Sequence, residues 1–284
     1  MELHGIDRIY LRLFDVAFSE SRMAAMPIAT VRFATKMPTD VNIVPVVYIT
    51  TEAVQYGKLQ DSLLYARIQA IAKQNDFPPL KEIQLDCDWT GNSKEAFFDL
   101  CRKMRERAHA DSIQLSATIR LHQLSSTPPP VDRGVLMLYN TGSLYDQETE
   151  NSILEYKHVA QYLKSTVDYD VPLGYAFPAF QWGVVLNSQH NFKMLVRNVD
   201  FIYSDKCRQI DKNLYVAIGN IDVGDSWIWT GDYIRVESPN TEVIKQVKIL
   251  VNQKIGQGNE RIIYHLDSAN LSKYNPQDID SILK

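Results

Sequence analysis

Cysteine is scarce in this chain: Cys87, Cys101 and Cys207 are all it has, and no two form a Cys-x-x-Cys pair. An odd, widely spaced set fits no disulfide framework, and Cys87 and Cys101 read as small core residues. Long apolar runs are missing too. No stretch of about 18 apolar residues occurs, so no membrane span is expected. Positive charge is not in excess: 30 Lys and Arg against 34 Asp and Glu leave a net charge of −4, and no basic stripe is present. This argues against a nucleic-acid partner. The most basic cluster, residues 102–107, falls in a predicted helix and reads as a solvated face. The first sixteen residues contain no apolar signal core and no cleavage site. Also absent are the Gly-x-Gly-x-x-Gly and P-loop turns of nucleotide-binding sheets, the Gly-x-Ser-x-Gly elbow, and the His-x-His and His-Glu-x-x-His metal pairs. No cofactor and no resident metal are therefore expected. No internal repeat of 20–50 residues is visible.

What is present is a rhythm of apolar strands and amphipathic helices. The stretch EIQLDCDWT (residues 82–90) alternates polar and apolar residues and ends at Gly91-Asn92. Period 2 puts Gln84, Asp86 and Asp88 on one face and Leu85, Cys87 and Trp89 on the other. Strands are expected at 8–16, 42–50, 82–90, 112–120, 134–140, 172–180, 233–237 and 261–266, with a short β-like piece, ATVRF, at 29–33. Helices are expected at 57–75, with an apolar stripe through Leu59, Leu63 and Ile68; at 93–110, capped by Ser93; at 151–165; at 241–255, capped by Asn240; and at 276–283. Eight strand candidates with near-continuous apolar runs predict an α/β fold, a (β/α)8 TIM-type barrel in one domain spanning 1–284. Residues 186–230, with Trp227 and Trp229 among turn residues, are expected to be an irregular insertion.

In such barrels sites form at the C-terminal ends of the strands. Those ends carry Asp15, Glu52, Asp86, Asp88, Trp89, Arg120, His122, Tyr139, Asn140, Tyr175, Trp182, Glu237 and Asp267. Carboxylates and amides can bond sugar hydroxyls, and aromatic faces can stack on a pyranose, so the list fits an oligosaccharide ligand. Two carboxylates at one strand end also admit a structural reading, in which Arg12 or Arg120 pairs with them. Trp89 admits a packing role, and His122 a place in a loop.

The run Asp86-Cys87-Asp88-Trp89 resembles the end of the DxxDxDxE signature of family-18 glycoside hydrolases, the chitinase-like barrels. Residues 136–140 (LMLYN) are similar to that family's MxYD strand, and residues 173–178 (LGYAFP) to its next strand. The likeness covers roughly 82–183. The chain as a whole is similar to Bacteroides-type proteins described as glycoside hydrolases of unassigned reaction, a resemblance that implies export. The departures are specific. Thr90 stands where the family has its catalytic Glu, Ile83 where the signature has its first Asp, and Asn140 where MxYD has its Asp. The signature strand is the family's fourth and is the third here, so a strand–helix unit is expected to be missing ahead of Glu2, leaving the barrel incomplete or truncated at its N-terminus.

Three functions follow. In the first, the chain is a carbohydrate-active hydrolase with Asp88 as acid or base, Asp86 orienting it, a second carboxylate from Glu52, Glu237 or Asp267, and Tyr139, Asn140, Trp182, Tyr175, Trp89, Arg120 and His122 binding the sugar. In the second, it is a non-catalytic glycan-binding barrel that lacks the acid. In the third, Asp86, Asp88 and His122 hold a metal ion for hydrolysis.

Overall fold

A computed structural model describes residues 5–146 and 148–284. The position ahead of Glu2 lies outside the described residues. The chain forms two compact units. One runs to Met137 and takes in Val167–Tyr175 and Gly258–Glu260; the other comprises Leu138–Thr166, Ala176–Gln257 and Arg261–Lys284.

The first unit is built on β1 (Arg8–Ser19), β2 (Ala24–Ile28), β3 (Asn42–Ile49), β4 (Glu82–Asp86), β5 (Gln114–Ile119), β6 (Arg133–Met137) and the start of β7 (Leu173–Pro178). Pairing is parallel from β1 through β6. β7 keeps the direction, because the amides of Gly134 and Leu138 bond the carbonyls of Pro172 and Ala176 in step. These strands are buried on both faces: in β4, Glu82, Ile83, Gln84 and Leu85 are all buried. That is why β3 reads as a nearly continuous apolar run; β4 alternates, and its Glu82 and Gln84 are buried polar side chains. β2 runs antiparallel to β1 at the edge. It contains Pro27, which a sheet edge tolerates, and it takes the place of the expected ATVRF piece, which is a loop.

The helices cover the sheet. The expected helix at 57–75 is α2 (Asp61–Gln74), and a short α1 (Thr51–Tyr56), which was not expected, precedes it. Thr50 caps α1 by accepting from the Ala53 amide at 3.2 Å. Gly57 ends it where the chain grazes β2, and a Cβ at Gly57 would lie 2.6 Å from that of Ala25. The buried face of α2 is Leu64, Ile68 and Ala72, while Leu63 is exposed. Ile68 is on the buried face as expected, while Leu64 takes the place expected of Leu63. α3 (Lys94–Ala110) buries Phe97, Leu100, Cys101 and Met104 as the periodicity requires. Ser93 does not cap it; its hydroxyl accepts from the Thr90 amide, closing the turn before the helix.

At the starts of the strands lies a cluster of charges. Arg8 of β1 and Arg133 of β6 reach Glu82 of β4 at 3.2 and 3.3 Å. Arg133 also reaches Glu260 at 2.6 Å, and the Tyr10 hydroxyl donates to Glu260 at 2.7 Å. β1 and β4 are separated by β3, and β4 and β6 by β5, so the cluster draws together strand ends across the sheet. Burial, with the charges of Glu82 and Glu260, pushes the Tyr10 phenol up, so it stays a donor.

In the second unit the expected irregular insertion at 186–230 is an ordered antiparallel sheet. Its strands are β8 (Trp182–Leu186), β9 (Phe192–Val196), β10 (Cys207–Gln209), β11 (Leu214–Ala217) and β14 (Tyr233–Glu237), in the order β10-β11-β14-β8-β9; β12 (Ile221–Asp222) and β13 (Trp227–Ile228) form a separate hairpin. Val185, Ile234, Val196, Ala217 and Ile228 make its core. YIRVE, counted among the barrel strands from sequence, is β14 of this sheet. Trp227 and Trp229 stack on each other at 5.8 Å with exposed rings. The expected helix at 151–165 shrinks to α4 (Tyr156–Ala160), because Asn151 and Ser152 are committed elsewhere: Asn151 Oδ1 accepts from the Ile153 amide, and the Ser152 amide donates to Glu237. α5 (Thr241–Lys254) is capped by Asn240 as expected. β15 (Arg261–Tyr264), α6 (Ser268–Leu271) and α7 (Pro276–Leu283) complete the chain.

Hydrogen bonding orders the larger sheet β15-β7-β6-β5-β4-β3-β1-β2. The fold is α/β, of the TIM-barrel type, with an antiparallel strand at one edge. Among the described residues no helix is long and apolar enough to cross a membrane.

Glu82 is nearly inaccessible and serves two arginines, so Glu82→Ala leaves Arg8 and Arg133 to share Glu260 alone. Urea unfolding is expected to show a loss of about 1–3 kcal/mol. Asp99→Ala, which breaks an exposed pair with Lys103 on α3, is expected to leave the midpoint where it was.

Candidate functional site

The acid pair lies in the first unit, where β4 and β5 end. Leu85 pairs with Ala117, which sets Asp86 beside Thr118, and the same step continued sets Asp88 beside Arg120. The contacts follow that register. Thr118 Oγ1 donates to Asp86 Oδ1 at 2.7 Å. Arg120 donates from Nε and Nη2 to both Asp88 oxygens at 2.5 and 3.0 Å. Acceptor-x-acceptor on β4 thus faces donor-x-donor on β5. Gln123 locks the geometry: its carbonyl accepts from the Arg120 amide at 2.8 Å, and its amide donates to the Trp89 carbonyl at 2.9 Å.

Tyr48 is the penultimate residue of β3 and pairs in register with Asp86. Burial, then Asp88 and Asp86, push its phenol up. Arg12 lies 4.6 Å over the Tyr48 ring and bonds Asp15 through two nitrogens at 2.5 and 2.7 Å. Of the two arginines proposed from sequence as structural partners of the acid pair, Arg120 bonds Asp88, and Arg12 bonds Asp15 while its charge also acts on Asp86. Asp86 stands in a different state. Burial pushes its carboxyl up, the Thr118 hydrogen bond pulls the other way, and the charge of Asp88 adds to the rise.

Not every residue expected at the site presents itself there. Trp89 is 3% exposed and packs edge-on against Phe98 at 5.3 Å. Tyr175 is 1% exposed. Rings buried to that extent have no face left for a sugar. His122 points outward from a short 3-10 turn, Leu121–Ser125, whose neighbours Leu121, Gln123 and Leu124 are buried. Among the described residues no three His, Cys, Asp or Glu side chains come together so as to hold a metal ion, so Asp86, Asp88 and His122 are not a ligand set. Thr90 is exposed.

The remaining expected residues belong to the second unit. Tyr139 is buried, stacked on Tyr264 at 4.7 Å and edge-on to Phe180 at 6.1 Å. Asn140 is exposed with φ +54°, a left-handed conformation that Asn adopts more readily than most residues. Trp182, half-buried on β8, donates from its indole to Glu237 at 2.7 Å. Glu237 is itself 1% exposed, and accepts from the Ser152 amide and hydroxyl, from Trp182 and from Arg235 Nε. It is a saturated structural carboxylate, which removes it as a second acid. Asp267 caps α6, and the amides of Asn270 and Ala269 hold its carboxyl below the usual range. It too is spoken for.

Sequence reasoning left out Tyr48 and Thr118. Thr118 had a signal: Thr-Ile-Arg at 118–120 repeats the spacing of Asp-Cys-Asp at 86–88 with donors in place of acceptors.

No protein-family model matches the chain, and no curated protein sequence matches it. Solved structures do. A chitinase from Chromobacterium violaceum superimposes with a TM-score of 0.53 at 12% identity, over 94% of this chain and 89% of its own. The Group IV chitinase of Ostrinia furnacalis gives 0.52 at 9% identity, over 97% and 90%. A variant of catalytic domain 2 of the Group II chitinase from the same insect, solved with an N-acetylchito-oligosaccharide, gives 0.54 at 10%, over 99% and 88%. At such identities the likeness establishes the fold alone, an α/β architecture of the TIM-barrel type.

Asp86 yields a pH prediction. A carboxyl whose folded pKa lies above its unfolded value of about 3.9 loses stability on ionising, so stability falls as pH rises from the unfolded value through the raised one. Asp86→Asn keeps an acceptor for Thr118 and removes the charge. Its unfolding midpoint is expected above wild type at pH 7, with the gap closing below about pH 4. Thermal melts from pH 3.5 to 7 measure this, and a midpoint at pH 7 equal to or below wild type contradicts it.

Proposed function

We propose that the protein is a glycan-binding barrel of chitinase-type architecture that holds its ligand without the chitinase proton donor. The observation that carries this is the pairing at the strand ends. Both oxygens of Asp88 are engaged by Arg120, and Thr90, at the place the look-alike motif gives its acid, offers a hydroxyl. A general acid must surrender a proton near neutral pH, which a threonine hydroxyl does not do. A carboxylate–guanidinium pair beside a partly buried tyrosine is nevertheless a good partner for sugar hydroxyls, with the carboxylate accepting and the guanidinium donating. In this reading Asp88, Arg120, Asp86 and Tyr48 bind hydroxyls of the sugar in the first unit. The chitinase neighbours, one of them solved with an N-acetylchito-oligosaccharide, support a β-linked N-acetylglucosamine oligomer as ligand. Kinship with Bacteroides-type glycan-handling proteins, and export, belong to the same proposal.

One observation favours a second reading. Asp86 has its carboxyl pushed up by burial while Asp88 is paired with a cation. Unequal carboxyls side by side are how acid and base roles separate. In a hydrolase built this way Asp86 would hold the proton, the reverse of the roles expected from sequence.

Calorimetry and a reducing-end assay on N-acetylglucosamine oligomers separate these readings. Wild type is expected to bind and not to cleave, Asp88→Asn to bind at least fivefold more weakly, and Thr90→Glu to acquire slow cleavage. Cleavage by wild type that disappears in Asp86→Asn establishes the second reading. Absence of binding by a folded protein removes both.

A further inference from the structure

The Asp88–Arg120 pair has a counterpart on β1. There Arg12 pairs with Val46 of β3 and Phe14 with Val47, so Leu13 is an extra residue, a β-bulge. Val46 and Tyr48 stand two apart and share one face of β3. Arg12 pairs with the first and Asp15 with the second, so the bulge brings two residues three apart onto that face. In a regular strand they would point to opposite sides. The Leu13 carbonyl accepts from the Val31 amide at 2.8 Å, which holds the bulge in place. Asp15 thereby joins Tyr48, Asp86 and Thr118 in one row that crosses β1, β3, β4 and β5.

Each end of this row carries an arginine–carboxylate pair of the same chemistry. Arg12 engages both oxygens of Asp15, and Arg120 both oxygens of Asp88. The Arg12 and Asp88 side chains are 50% and 41% exposed, so both pairs can be reached from solvent, as Trp89 and Tyr175 cannot. Tyr48 and Asp86 lie between them in register. An exposed ion pair contributes about 0–1 kcal/mol to stability, too little to account for a strand distorted to form it. Bulges are concentrated beside sites, where they re-aim a side chain. A bidentate pair uses two of a guanidinium's five donors and two of a carboxylate's roughly four acceptor positions, and a sugar hydroxyl both donates and accepts. With neighbouring strands about 4.8 Å apart, β1 and β4 are separated by about 10 Å, more than one pyranose ring spans.

We propose that Arg12 and Asp15 are a second hydroxyl clamp of the strand-end site, which therefore takes an oligosaccharide of at least two sugar residues laid across β1, β3, β4 and β5. Asp88 and Arg120 hold one sugar, Arg12 and Asp15 hold a neighbouring one, and Tyr48 stands between the two. The assignment rests on the glycan-binding reading above and adds to it the length of the ligand and the residues that read that length.

The test is a backbone-amide NMR titration of the isotope-labelled full chain with N-acetylglucosamine, its dimer and its tetramer, with thermal melts of each variant. The tetramer is expected to bind more tightly than the monosaccharide and to shift amides at residues 12–16 as well as at 86–90 and 118–120. Asp15→Asn and Arg12→Gln are each expected to weaken tetramer binding about fivefold, the equivalent of one hydrogen bond. Both are expected to leave monosaccharide binding at Asp88 and Arg120 unchanged and the melting midpoint near wild type. Asp88→Asn is expected to weaken binding of all three sugars. Unchanged tetramer affinity in both β1 variants, with the loss in Asp88→Asn present, removes the second clamp and leaves the glycan-binding reading standing. A fall in the midpoint of Asp15→Asn without a change in tetramer affinity also overturns the clamp, by marking the pair as structural. No shift with any of the three sugars in the folded protein removes both readings.

Discussion

A sheet of apolar strands has a twist of fixed hand, but burying valine and isoleucine does not by itself say which strand starts converge, because it is rewarded wherever the surface goes. Direction comes from the charges at the strand starts. Glu82 can satisfy Arg8 and Arg133 together only if β1, β4 and β6 converge, and Glu260 can take both Arg133 and the Tyr10 hydroxyl only if the chain ahead of β15 converges with them. Ion pairs and hydrogen bonds are geometric where the hydrophobic effect is not, so this cluster determines how the apolar surface is arranged. The space left for Gly174 shows the tightness of the fit: a Cβ there would stand 3.1 Å from Arg133 Nη2.

The strands of this sheet were legible in the sequence as apolar runs closed by turn residues, as in β3 and β7, or as a polar–apolar alternation, as in β4. The antiparallel unit was not. Its strands are two to five residues long and lie beside turn residues, so local pattern cannot separate them from loop. β2 was hidden by Pro27, and YIRVE looked like a barrel strand because a buried strand has the same composition in either sheet. The shortened helix at α4 shows a different obstacle. Residues 151–165 have helical composition, but Ser152 is worth more as a donor to Glu237, eighty-five positions away, than as a helix start. No window of sequence contains that bond.

At the site, Asp86, Asp88 and Arg120 could be read from strand parity alone, because a β-strand has only two faces. Trp89 and Tyr175 were misplaced by the same rule: parity selects a face but does not say whether that face meets solvent or another layer of side chains. Glu237 was misplaced because its strand was assigned to the wrong sheet. The contrast between Asp86 and Asp88 lay beyond sequence reasoning, since it arises from what Thr118 and Arg120 do with their side chains.

Glu237 links features that are otherwise separate. One of its oxygens takes the indole of Trp182 and the other takes Arg235 Nε. A displacement of the guanidinium is therefore passed through a single carboxylate to a hydrogen-bonded indole, whose emission depends on the field along that bond. The second unit has a built-in optical reporter, and events at Arg235 register in Trp182 without any label being attached.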